Sequence, residues 1–455
     1  MVTPRRGSGN SQLPVGQANL GANTIRGMEM TDNGVGSQAF RPSRRKRLGS
    51  WVRAPLSRAI VALGITQIIA WGSTLYALGV LGRPIIADTG WSPAIVYGGL
   101  TVALLAAGSV SMPVGNRLDR SGGRAVMSVG SVIAGAGLVL ISVAHVPMIY
   151  FLGWAVTGIA MRMVLYDAAF VALVQLSPAR GRRSISLLTL FGGLASSLMW
   201  PLGAALEHLY GWRSTLLAFA ALQLLVCLPL HWFGLRGHES NDVEDSIVAP
   251  VLDQPAAQTF EDRPLRGGQR TFAMVLFSFV LAVSGTVAGA LAAHLVPVLV
   301  STGIDPLLAV GLASVQGVAQ TLSRLVDLVF GRNLSPITLG RLALGVFPLA
   351  FAALLLTSST IAAITFVVLY GAANGLVTIV RGAVPLKLFG ATGYGRVLGR
   401  LAVPVLIMNA LAPLVFALLI ERFDIRTGAL LLGALTLVST ASMEVLAYSY
   451  RRARA

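Results

Sequence analysis

The chain has 455 residues, 55% of them hydrophobic and only 12% charged, with a formal net charge of +17. A mean hydropathy of +0.74 leaves too few polar residues to cover a water-soluble surface, which excludes a soluble globular enzyme. The basic residues are scattered over many short polar segments, which excludes a nucleic-acid-binding face, and the lone Cys227 excludes a disulfide framework or a cysteine-based metal site.

In chain order, residues 1–50 are rich in Gly, Ser, Asn and Arg, lack apolar periodicity and end in the basic run RPSRRKR at 41–47. Residues 1–55 are therefore expected to form a disordered basic tail held at anionic lipid. No apolar stretch follows Arg5 and Arg6, so they make no twin-arginine signal, and Met28 or Met30 serves equally well as a start. About 20 apolar residues cross a bilayer. Windows of that kind fall near 59–81, 93–114, 125–144, 148–175, 184–206 and 213–235, six within residues 56–235. Residues 236–270, with GHESNDVEDS and EDRPLRGG, hold no apolar run and read as a charged linker. Six more windows, near 271–300, 306–330, 336–357, 359–380, 397–420 and 427–449, occupy residues 271–450, and a basic tail follows at 451–455.

The basic residues give an expected orientation. With both termini taken as cytoplasmic, the tail up to Arg58 holds ten Lys or Arg, alternate loops hold 3, 3, 4, 2 and 4, and 3 follow the last window, which is 29 of the 35. The opposite loops hold four, Arg83, Arg213, Arg422 and Arg426, and the remaining two, Arg162 and Arg324, fall inside apolar windows. So lopsided a split is what the positive-inside rule requires, and a missed window would have scrambled it.

Between the second and third windows lies GNRLDRSGGR at 115–124. Its Gly115, Asp119, Arg120, Gly122 and Arg124 resemble the short loop between the second and third helices of the major facilitator superfamily. The end of the eighth window, SRLVDLVFGR at 323–332, echoes it, with Asp327 in the place of Asp119 and Arg332 in that of Arg124. The resemblance implies an all-α membrane protein of twelve transmembrane helices in two six-helix pseudo-symmetric halves, related by an axis along the membrane normal. It also implies that these loop residues gate the cytoplasmic side.

The two arginines inside windows carry the functional reading, because a charge in hydrocarbon costs at least about 2.5–3.5 kcal/mol. Arg162 has Tyr166 one turn along on the same face. It is either an internally paired structural arginine or part of a polar site. Asp167, at i+5, is expected to point elsewhere and nearer the cytoplasm, either paired with loop arginines or carrying a proton. Gln316, Gln320 and Arg324 recur every four residues and draw a polar stripe that lipid would not tolerate, so it should face water. Asp327, at i+3, could instead neutralise Arg324 within the helix. Asn374, Thr378 and Arg381 draw a second stripe, with Arg381 near enough to the cytoplasm to snorkel. His294 is either a proton carrier or a satisfied helix-end histidine.

Two further stretches, WGSTLYALGVLGRPIIADTGWS at 71–92 and HLVPVLVSTGI at 294–304, resemble the monocarboxylate and oxalate:formate group of the superfamily. That resemblance puts Arg324 where members of the group bind a carboxylate, and a guanidinium suits the task through its bidentate fork. It implies a secondary transporter that moves a small organic anion by rocking one half against the other, with proton or counter-anion coupling. Two departures stand out: the arginine usual early in the fourth helix falls near Trp154, and the eleventh-helix Lys of oxalate exchangers has no counterpart, Lys387 lying before that window. SSLMWPLG at 196–203 resembles the Gly-Pro bend of drug:proton antiporters, through Pro201 and Gly203, and keeps a drug-efflux reading open.

The chain shows no GxxxxGK[ST], HExxH or GxSxG motif and no paired carboxylates in its windows, so no enzymatic activity, cofactor or metal is expected. A receptor without transport activity is the reading from another class. The expected partners are the small-molecule substrate and the lipid bilayer of the cell membrane, with no nucleic acid, and the chain is expected to be monomeric.

Overall fold

The computed structural model describes residues 55–236, 264–356 and 359–453, without the side chains of Arg332 and Leu356. The expected basic tail before residue 55, most of the expected linker, the Arg332 side chain and residues 454–455 lie outside the described residues. What is described is helical, and several helices start at a sequence-legible cap. Ser92 accepts from the Ile95 N–H, Ser359 from the Ala362 N–H, and Asp305 from the N–H groups of Leu307 and Leu308, with Pro93 and Pro306 as first helical residues. Asp424 caps the last helix, and the Thr427 N–H it accepts holds its carboxyl below the usual carboxylate range.

Among the described residues, nine continuous helical runs are long and apolar enough to cross a membrane. Two are too long to be single crossings. Pro93–Ser142 has 50 residues, which at 1.5 Å per residue is about 75 Å against a hydrocarbon core of about 30 Å. It breaks at Gly122, at φ 76° and ψ 160°, where only glycine sits without strain. Pro178–Gly234 breaks the same way at Gly211, at φ 77° and ψ 166°. Dividing at these glycines and adding Pro306–Phe330, which carries Arg324 and Asp327, gives twelve helical segments long enough to cross among the described residues.

In order, the first span is Pro55–Ser73 with Ala77–Thr89, the second and third are 93–121 and 123–142, and the fourth is Pro147–Val164 with Tyr166–Leu176. The fifth is Gly181–Gly193 continued by 195–210, and the sixth is 212–234, with a π-helical stretch at Gln223–Cys227. The seventh to twelfth are Gly267–Ser301, Pro306–Phe330, Pro336–Leu356, Thr360–Phe389, Tyr394–Arg422 and Ile425–Arg452. The stretch 115–124, expected to be a loop, is helix up to residue 121, and the turn is Gly122 alone. Asp119 and Arg120 therefore ride on the last helical turn of the second span.

The halves meet through the second span against the eleventh and the fifth against the eighth. Exchanging the halves turns one pair into the other, which is the pseudo-symmetry of the fold. The second and eleventh spans touch backbone to backbone: a Cβ on Gly115 would stand 2.4 Å from the Gly395 carbonyl oxygen.

Candidate functional site

Three spans of the first half are discontinuous. The first turns at Thr74–Tyr76, the fourth has Leu165 in extended conformation between Val164 and Tyr166, and the fifth changes helix at Leu194. A break in a buried helix frees backbone groups that must find partners. Gln67 of the first span supplies one, its Nε2 donating to the Val164 carbonyl at 2.7 Å, while its Oε1 accepts from Trp71 Nε1 at 3.1 Å. Irregular backbone inside a membrane bundle is found where it lines a polar site.

Arg324 of the eighth span meets the first half there. Its Nη1 donates to the Thr189 carbonyl of the fifth span at 3.1 Å, its Nε to the Gly375 carbonyl at 3.3 Å, and its Nη2 to Thr378 Oγ1 at 3.2 Å, both in the tenth span. Tyr166 Oη donates to the same Thr189 carbonyl at 3.3 Å, so phenol and guanidinium converge on one oxygen. Gly193 makes room, since a Cβ there would lie 2.9 Å from Nη1. Arg324 is only 5% exposed, and all its partners among the described residues are neutral. Three of the five guanidinium N–H groups are used, which leaves one on each terminal nitrogen. Gln316, Gln320 and Asn374, on the eighth and tenth spans, are half-buried, and their side chains bond to nothing among the described residues. The alternative of a local Arg324–Asp327 pair is not formed.

Arg162 is brought elsewhere. Its Nη1 donates to Asp167 Oδ2 at 2.9 Å, and Asp167 also receives Arg381 of the tenth span. Two expectations are corrected here. Asp167 does not point away from Arg162, because the break at Leu165 resets the helical register and turns the carboxylate back onto it. Arg381 does not snorkel outward but reaches in to Asp167. The cluster carries one positive charge in excess, and Arg162 Nε and Nη2 and Asp167 Oδ1 have no partner among the described residues.

One end of the bundle is latched twice. Asp119 accepts from the N–H groups of Gly395 and Arg396 at 2.7 and 2.8 Å, at the N-terminus of the eleventh span, where the helix dipole favours a negative charge. Asp327, its counterpart, accepts from Arg182 Nη2 at 3.3 Å and Ser186 Oγ at 3.0 Å in the fifth span. Arg182 also donates to the carbonyls of Gly331, at 2.8 Å, and Leu334. Arg120, expected to help tie the helix ends, is exposed and makes no bond among the described residues. Arg124 lies over the Trp232 ring, 4.1 Å from its centroid. All the polar contacts between the halves described here lie at Arg324 or between it and this latched end.

Asp119→Asn removes the charge from a bond of about 1.5–3 kcal/mol, enough to shift a two-state population roughly tenfold or more. With spin labels on cysteines replacing the exposed Arg117 and Arg400 in a Cys227→Ala background, the distance between them should lengthen in Asp119→Asn. An unchanged distribution makes the loop a topological anchor only.

His294 donates through Nε2 to the Pro413 carbonyl, 3.1 Å away, and packs on Phe416, with no titratable neighbour bonded to it among the described residues. Sequence reasoning missed His231, buried between Ser131 Oγ on Nδ1 at 2.8 Å and Thr66 Oγ1 on Nε2 at 3.0 Å. It also missed Arg182, which reads as one more loop arginine in RGRRS, and Thr189, whose part is played by its backbone.

Two six-span halves that meet at a buried cation and are latched at one end define a multi-pass membrane carrier, a secondary transporter and not an enzyme. The chain belongs to the major facilitator superfamily, whose sequence pattern, "Major Facilitator Superfamily", matches residues 62–399. Sequence comparison with curated proteins finds no match. Among solved structures, the human organic anion transporter MFSD10 (TETRAN) is similar at TM-score 0.60 and 16% identity, over 88% of this chain and 100% of that one. The transporter FucP in its outward conformation matches at TM-score 0.62 and 13% identity, over 85% and 98%. The proton:xylose symporter XylE matches at TM-score 0.62 and 14% identity, over 87% and 95%. At these identities the likeness is one of fold.

Proposed function

We propose that this transporter carries a small organic anion, in keeping with the resemblance to the monocarboxylate and oxalate:formate group, and that Arg324 holds the carboxylate. The observation that carries this is a buried guanidinium bonded only to neutral acceptors, with an N–H to spare on each terminal nitrogen. Such a cation is a costly resting state and a good anion site. Gln316, Gln320 and Asn374 supply further donors, Tyr166 borders the site, and Arg162 adds positive potential from its own cluster. Asp167 and His294 are the candidates for proton coupling.

The second reading, efflux of drug-like compounds, is favoured by Pro201 inside the fifth span. A counterflow screen in proteoliposomes separates the two. Monocarboxylates should drive exchange and lipophilic cations should not; exchange of cations alone overturns the anion reading.

The latched end and both termini are proposed to face the cytoplasm. Single cysteines replacing Ala94 and Thr302 in the Cys227→Ala background should react with an impermeant maleimide on intact cells, and one replacing Arg117 only after permeabilisation. Labelling of the Arg117 position from outside reverses the orientation.

A further inference from the structure

Four aromatic rings form a continuous ribbon beside Arg324. Trp200 lies edge-on to Tyr76 with centroids 6.2 Å apart, Tyr76 is 5.9 Å from Trp71, and Trp71 is 5.0 Å from Tyr166. The ribbon is contributed by the first, fourth and fifth spans, the three that are discontinuous. It is not sealed core: Trp200 is 47% exposed, and Trp71 and Tyr76 are half-buried. The Tyr76 hydroxyl has no partner among the described residues, while the Trp71 and Trp200 N–H groups are spent on Gln67 Oε1 and the Tyr76 carbonyl. What the indoles still offer is their faces. Tyr166, at the inner end of the ribbon, and Arg324 both donate to the Thr189 carbonyl, which places rings and guanidinium in one site. The eighth and tenth spans, which hold Arg324 and its partners Gly375 and Thr378, contribute the half-buried amides of Gln316, Gln320 and Asn374, so the ribbon comes from the first half and the amides from the second.

A carboxylate alone would use none of this ring surface. Aromatic faces attract other rings in offset or edge-to-face contact beyond what burial of apolar area alone provides. We infer that the transported anion is an arylcarboxylate, its carboxylate on Arg324 and its ring against Tyr76 and Trp71, with Trp200 as the outer lip. This rests on the anion reading proposed above and adds the substrate class to it. An alicyclic acid of the same size fills the same space without the ring contact. The amides opposite favour ring substituents that hydrogen-bond, so a hydroxyl on the ring should be tolerated.

The test is equilibrium binding to the purified full-length protein in nanodiscs, followed by quenching of tryptophan fluorescence and by thermal shift, with benzoate, cyclohexanecarboxylate, lactate and benzylamine as probes. Benzoate should bind about tenfold more tightly than cyclohexanecarboxylate, the size of one to two good ring contacts. Tyr76→Leu should erase that difference and leave lactate binding unchanged. If Tyr76→Leu does not fold, Trp200→Leu, at an exposed position, should narrow the difference at parental stability. Equal affinity for benzoate and cyclohexanecarboxylate, with both lost in Arg324→Gln, overturns the aromatic inference and keeps the anion reading. Binding of benzylamine and of none of the three acids overturns both.

Discussion

Arg324→Gln should abolish anion uptake into proteoliposomes, and Arg324→Lys should reduce it by roughly 10- to 100-fold, while both proteins remain folded. The Lys variant keeps the charge and loses the fork. A point charge on a flexible stem cannot present two parallel N–H groups to a carboxylate, and loss of one charged hydrogen bond of about 1.5–3 kcal/mol accounts for that range. Stability should hold because two effects of similar size oppose each other. Removing the guanidinium leaves the Thr189 and Gly375 carbonyls short of a donor, but it also removes an uncompensated charge that costs at least about 2.5–3.5 kcal/mol in hydrocarbon. Asp327→Asn is the informative companion. Asp327 is bonded to Arg182 and Ser186, so its substitution should disturb the latch and leave anion affinity unchanged. Loss of stability in Arg324→Gln that Asp327→Asn restores would make the pair structural after all.

Asp167→Asn should cost far more stability than Arg324→Gln. Its carboxylate is buried between Arg162 and Arg381, and neutralising it leaves two guanidiniums facing an amide. Breaking a buried ion pair from one side costs about 3–5 kcal/mol because the orphaned charge stays behind. The melting temperature of purified Asp167→Asn should therefore fall by many degrees, and Arg162→Gln in the same background should recover part of the loss. A protein of parental stability whose uptake no longer responds to a pH gradient would instead make Asp167 a proton carrier.

The apolar windows were legible because about 20 residues without charge have few other uses, and Arg324 was legible because its charge interrupts one of them. The partners were not legible. Leu165 is an ordinary apolar residue flanked by neither Gly nor Pro, and the break there is stabilised by Gln67 nearly a hundred positions earlier. Counting a regular helix through it therefore misdirected Asp167. In the same way Asp327, one turn away, stood as a possible partner of Arg324, because nothing in the eighth span announces Arg182 from the other half. The Gly-rich pattern at 115–124 marked the right turn but suggested a loop, where a single positive-φ glycine suffices.

Anion-dependent stabilisation of the purified protein, measured in parallel on the parent and on Arg324→Gln, tests the role of Arg324 most directly. A bound ligand raises unfolding free energy by RT ln(1 + [L]/Kd), about 2.7 kcal/mol at a hundredfold excess over Kd. The parent should show a melting temperature that climbs with benzoate or lactate concentration, and Arg324→Gln should show a flat line from nearly the same starting temperature. Equal climbs in the two proteins would place the anion somewhere other than Arg324.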